Sequence, residues 1–105
     1  VPSSQIEWHG HNDFYKAVNN STTAWLYGAS GVNCSLFGIG ERTGNTPLEA
    51  MVFEYAQLRG TLDGMDTTVI TELAEYYEKE ITFIIISYIN DSRNVCWLWI
   101  KWRFR

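Results

Sequence analysis

Apolar spacing switches from strand-like to helical and back within the first forty residues, and that switch restricts the fold more than any other feature. Gln5-Ile-Glu-Trp-His-Gly-His11 reads as a strand. It runs directly into Phe14, Ala17, Val18, Ser21 and Trp25, whose spacing puts them on one helical face. Asn12 or Asp13 can cap the start of that helix, and Gly28 suits its C′ position. Val32–Ile39 then predicts a buried strand that ends among glycines.

Gly38-Ile-Gly-Glu-Arg-Thr-Gly-Asn45 predicts a loop. Thr46-Pro-Leu-Glu49 predicts a helix start, with Thr46 as N-cap, Pro47 at N1 and Glu49 at N3. Leu48, Met51, Val52 and Tyr55 share a side of this second helix, which stops near Gly60. A polar turn at Asp63-Gly64 precedes a third helix over Thr68–Glu80, with Val69, Ile70, Leu73, Ala74 and Tyr77 on its apolar face. Strand, helix, strand, helix, helix is the order of βαβ units and places the chain in the α/β class with a parallel sheet. Parallel sheets are buried on both faces. Two strands cannot cover themselves, so residues 1–81 are expected to be part of a larger sheet or barrel.

The last segment differs. Thr82–Ile89 and Val95–Phe104 are β-prone, and Asn90-Asp-Ser-Arg-Asn94 between them is turn-rich, so a β-hairpin is predicted. Residues 1–81 hold four basic and eleven acidic side chains, for −7, whereas residues 82–105 hold four basic and one acidic, for +3. The shift marks either a domain boundary at 82 or a frameshifted end. An acidic body argues against a nucleic-acid partner. The apolar stretch Phe83–Ile100 is broken by Asn90, Asp91, Arg93 and Asn94, which excludes a membrane span on cost. Cys34 and Cys96 stand singly, as expected of a reducing, cytoplasmic setting. No signal peptide is visible, and the chain starts on Val1 rather than Met, as a processed or excerpted piece would.

Residues able to carry chemistry fall into two groups. His9 and His11 are the only histidines. At i and i+2 of a strand they point to one face, within reach of one ion at about 2.0–2.2 Å. They also stand at the C-terminal end of the strand, where α/β sheets place their sites. The plainer alternative is two polar residues at a strand–helix junction. The second group is the 38–45 loop. Gly38, Gly40 and Gly44 allow positive φ and a close ligand, and the next helix offers N–H groups to an anion. The alternative is a tight turn. The loop is neither a P-loop nor a dinucleotide fingerprint, since Thr43 stands where a third glycine belongs. Glu41 can act as a base or orient a histidine, or else pair with Arg42 or Lys16. Asp13 can orient an imidazole or cap the helix. Cys34 and the aromatics Trp25, Phe53, Tyr55, Tyr76 and Tyr77 read as packing residues. No GxSxG or Ser-His-Asp order supports a serine hydrolase.

Taken as a pair, His9-Gly-His-Asn-Asp13 and Gly38-Ile-Gly-Glu-Arg-Thr-Gly-Asn45 are distinctive. They resemble the signatures of the 2-isopropylmalate, homocitrate and Re-face citrate synthases, a DRE-TIM metallolyase-type barrel family. The likeness runs from about residue 5 to residue 81. Tyr15-Lys16, where other branches carry small residues, looks most like the Re-face citrate synthase branch.

That resemblance implies a partial TIM barrel, its last two βα units, with strands seven and eight present. His9 and His11 would be ligands of a catalytic divalent ion (Zn, Mn or Mg) holding a 2-oxo acid through its keto and carboxylate oxygens. The enolate of acetyl-CoA would attack the polarised ketone, and thioester hydrolysis would follow. Asn45 would lie beside the metal, Glu41 would shape the pocket, and Gly38, Gly40 and Gly44 would form the cofactor-facing backbone. The family's first strand, with its Arg-Asp pair, is absent, so the parent is expected to be an acyltransferase and this chain inactive alone. Two other readings stay open: a non-catalytic truncated αβ module, and a metal-binding or oligomerising module. Exposed strand edges and an aromatic tail predict self-association.

Overall fold

The computed structural model describes residues 1–81; the hairpin expected over 82–105, the break at 82 and the apolar stretch Phe83–Ile100 lie outside the described residues. Two short strands, β1 (Glu7–His9) and β2 (Gly31–Asn33), flank helix α1 (Ala17–Leu26). They are followed by α2 (Leu48–Arg59) and α3 (Val69–Tyr76), and a π-turn over Tyr77–Ile81 extends the last helix. β1 and β2 pair in parallel, Glu7 with Gly31, Trp8 with Val32 and His9 with Asn33. The βαβ order read from the sequence is thus present.

The return from α1 to β2 is tightly specified. Gly28 sits at φ 94, in the region open to a residue without Cβ. Its N–H donates to Trp25 O (2.9 Å) and that of Ala29 to Ala24 O (3.0 Å), which is a Schellman cap. Two residues on, Ile6 O accepts from both the amide (2.9 Å) and the hydroxyl (3.0 Å) of Ser30. Pairing with β1 starts at the next residue.

The buried centre lies where α1 meets the start of α2. Ala17 and Met51 are the buried apolar residues among those described, and Ser21 and Thr46 are fully buried beside them. The two hydroxyls satisfy one another at 2.9 Å, and Ser21 Oγ also donates to Ala17 O at 2.7 Å. Buried polar groups are tolerated only when paired in this way. An open groove of ≈420 Å³ runs beside this centre, lined by Trp25, Val32, Cys34, Leu48, Met51 and Tyr55 among others. The apolar side read for α2 is the side that faces it.

Several boundaries differ from expectation. Gln5 belongs to a 3-10 turn, so β1 starts later than the sequence suggests. α1 begins at Ala17 because Asn12–Tyr15 is a reverse turn, closed by Tyr15 N–H on Asn12 O (3.0 Å) with Tyr15 at φ 57. Phe14 lies in that turn, 83% exposed, and not on the helix face. The strand expected over Val32–Ile39 ends at Asn33, because Ser35 turns to pair with the 46–48 backbone: its N–H donates to Thr46 O (3.0 Å) and its carbonyl accepts from Leu48 N–H (2.9 Å). Phe37 and Gly38 then take left-handed backbone, which no strand continues through. Cys34 is therefore half-buried in the groove beyond β2 and not mid-strand. Pro47, not Thr46, is the N-cap of α2, since the Thr46 hydroxyl is spent on Ser21. Glu49 accepts from Phe37 N–H (3.0 Å) and steadies the preceding turn.

Of the aromatics read as packing residues, Trp25 meets Tyr55 edge-on at 6.2 Å. Tyr77 meets Phe37 at 5.3 Å. Phe53 and Tyr76 remain 50% and 58% exposed. Among the described residues no helix is long and apolar enough to cross a membrane.

Candidate functional site

The two motifs singled out in the sequence come together in space. His11 and Asn45 form an antiparallel bridge. Asn12 N–H donates to Gly44 O at 2.9 Å, so the 38–45 loop lies along the end of β1. The loop closes on itself through Asn45 N–H to Gly38 O (2.9 Å) and Gly44 N–H to Glu41 O (2.9 Å).

His9 and His11 share a side, with ring centroids 5.1 Å apart and planes at 85°. Two imidazoles holding one ion at about 2.0–2.1 Å, splayed by about 90–110°, bring their ring centres roughly 4.5–5.3 Å apart. The 5.1 Å between the two rings lies within that range. His9 is exposed and reachable, and Nδ1 of His11 is buried without a hydrogen-bond partner. Among the described residues no group of three or more His, Cys, Asp or Glu could hold a metal ion. The strand reading of the pair needs correction, since β1 ends at His9 and His11 lies beyond it in the bridge to Asn45.

The three glycines are accounted for first by the loop's own packing. A Cβ on Gly44 would sit 2.2 Å from Gly38 O, and one on Gly40 would sit 2.6 Å from the Asn45 side chain. Oδ1 of Asn45 is buried there with no partner. The Leu48 amide, at the start of the following helix, is already taken by Ser35 O and is not free for an anion. The Glu41 side chain is 81% exposed, and its carboxylate lies 3.9 Å from the Arg42 guanidinium, as in the plainer of its two readings.

Asp13 neither caps α1 nor serves only a histidine. Its two oxygens accept from Nε (2.8 Å) and Nη2 (3.0 Å) of Arg42. That guanidinium holds the carboxyl below its ordinary range, with a smaller contribution from His11. Nor is Asn12 the N-cap: that position is Lys16, which makes no side-chain cap, while Asn12 Oδ1 accepts from Ala17 N–H at 3.3 Å from outside the helix. The Asp13–Arg42 pair was not foreseen, although opposite charges in both motifs were the available signal. Burial, and then the charge of Glu49, pushes the Cys34 thiol up. Tyr55 donates to the Asp63 carboxylate, which raises its phenol.

Residues 1–76 match the HMGL-like family model. The chain is 67% identical over 85 residues to a citrate (Re)-synthase of Clostridium kluyveri, covering 81% of this chain and 19% of that protein. It is 56% identical over 87 residues to a citrate (Re)-synthase of Syntrophus aciditrophicus, covering 83% of this chain and 14% of the other. A homocitrate synthase of Nostoc is 40% identical over 70 residues, covering 67% of this chain and 19% of the other. The chain thus spans less than a fifth of the length of these relatives. The two Re-face enzymes exceed the homocitrate synthase in identity, in agreement with the branch read from Tyr15-Lys16.

Proposed function

Because the chain belongs to the HMGL-like family, a TIM-barrel family, we propose that it is part of a metal-dependent acyltransferase that condenses acetyl-CoA with a 2-oxo acid, of the Re-face citrate synthase type. The observation that carries this reading is the His11–Asn45 bridge, which unites two motifs by residues 34 positions apart at the end of β1. In this reading β1 and β2 are the last two barrel strands, and the open groove and exposed strand edges are surfaces that the rest of the barrel covers. The two alignments cover 85 and 87 residues of this chain and so run past residue 82; a non-family tail would begin beyond them.

His9 and His11 would hold a divalent cation, zinc, manganese or magnesium. When bound, such an ion supplies Lewis acidity to a keto oxygen. The chain's own residues present and orient. The parallel register fixes where His9 stands. The bridge to Asn45 fixes His11. The Gly38–Gly44 backbone brings Asn45 up to the histidine side without a Cβ in the way, leaving an amide oxygen with no internal partner. Glu41 faces outward here and would complete a pocket wall only against strands beyond the described residues. The chain alone is therefore proposed to be inactive, and to self-associate through the strand edges left open among the described residues.

A chimera tests the reading. Residues 5–81 would replace the matching segment of the Clostridium kluyveri citrate (Re)-synthase. We expect citrate formation to persist, and to be lost on His9→Ala or on His11→Ala. A folded chimera that keeps its activity without both histidines would refute the assignment.

A further inference from the structure

Two reverse turns meet beside the histidine pair. Asn12–Tyr15 carries Asp13 at its second position, and Glu41–Gly44 carries Arg42 at its second position, at φ 54. The guanidinium reaches across with Nε and Nη2 on the two carboxylate oxygens, at 2.8 and 3.0 Å. This two-pronged contact is one that arginine makes and lysine cannot. Directly behind it, Asn12 N–H donates to Gly44 O. The loop carrying Glu41 and Asn45 is thus tied to the segment carrying His11 by a backbone hydrogen bond and a bidentate ion pair.

We propose that Asp13 and Arg42 form a clasp that positions the Gly38–Asn45 loop against His9 and His11, which makes both of them positioning residues for the cation site. The inference rests on reading the histidines as ligands. Two arguments support a local role. The Arg42 and Asp13 side chains are 53% and 37% exposed, and exposed ion pairs contribute little to global stability. Moreover, a guanidinium near a cation site opposes cation binding by charge, so any favourable effect of Arg42 must come from geometry.

That opposition of signs gives the test. In the 105-residue chain, Arg42→Lys, Arg42→Ala and Asp13→Asn would be compared by amide exchange at Asn12 and Gly44, and by calorimetric titration with Mn²⁺ and Zn²⁺. A clasp predicts faster exchange and about tenfold weaker cation affinity in all three, as for other groups that orient ligands from behind. A pure charge effect predicts tighter binding for Arg42→Ala, weaker for Asp13→Asn and no change for Arg42→Lys. That pattern, or unaltered exchange at both amides, overturns the clasp. A His9→Ala/His11→Ala variant separates the two readings. If it binds cation as the parent chain does, the ligand assignment fails; if neither binds, the site needs ligands beyond the described residues; in both cases exchange alone decides the clasp.

Discussion

Gly44 is the position where one added carbon should do most damage. Its φ of 96 lies where an L side chain is strained, and its Cβ would fall 2.2 Å from the Gly38 carbonyl oxygen, which is backbone and cannot rotate aside. Left-handed backbone at a residue with a Cβ costs about 1–2 kcal/mol. Forcing atoms into a filled space costs about 1–3 kcal/mol more. Gly44→Ala should therefore lose roughly 2–5 kcal/mol, a large share of the ~5–15 kcal/mol that holds a typical domain folded. Gly60→Ala is the internal control, since Gly60 has φ 73 but nothing within 4 Å of its Cβ position. It should show the strain alone, about 1–2 kcal/mol. Urea unfolding followed by tryptophan fluorescence reads the difference. With slopes of about 1–3 kcal/mol per molar urea, the Gly44→Ala midpoint should fall by roughly 1–3 M, and by clearly more than the control. Equal midpoints for the two variants would refute the argument that loop closure leaves no room at Gly44.

Three further outcomes are expected. Ser21→Ala and Thr46→Val should each destabilise by about 1–3 kcal/mol, and the double variant by less than their sum, because each leaves the other's hydroxyl short of a partner; strictly additive losses would show that the two do not share a bond. Asp13 is held below its ordinary value of 3.8, chiefly by Arg42. A depressed folded-state value means that its contribution is present above about 3.8 and lost as pH falls further; an NMR titration of the Asp13 carboxyl should shift upward in Arg42→Ala, and an unshifted curve would count against the pair in solution. Cys34 is raised by burial and then by Glu49, so in a Cys96→Ser background its alkylation at pH 8 should be slower than that of a free thiol and faster in Glu49→Gln; reaction at the free-thiol rate would contradict that environment.

The site was more legible in the sequence than the element boundaries were. The two motifs were paired through their resemblance to a known family, since residue types alone left each with a plainer alternative. The βαβ order was plain. The helix start was misplaced because Phe14 continues the apolar period of α1, and a spacing rule cannot register that Tyr15 has turned into left-handed backbone. The long second strand was misplaced for a related reason. Val32–Ile39 is apolar enough, but the hydrogen bonds of Ser35 go to residues 46–48, a non-local competition that no window of neighbours contains. Thr46 had every property of a cap, and was claimed instead by Ser21, twenty-five residues away. The Asp13–Arg42 pair escaped notice because each residue also had a credible partner close by in sequence.

The Schellman turn at Gly28 and the double hold of Ser30 on Ile6 O leave the connection between α1 and β2 no slack. Side chains on a strand alternate faces with every residue. One residue inserted or deleted between Tyr27 and Ser30 would therefore exchange the two faces of β2, sending Val32 out of the groove and disturbing the chain that leads into the glycine loop. Length variation has an easier outlet between Thr61 and Met65, where Gly64 has open space around it. The first connection can drift in composition as long as its count is kept, whereas the second can drift in both.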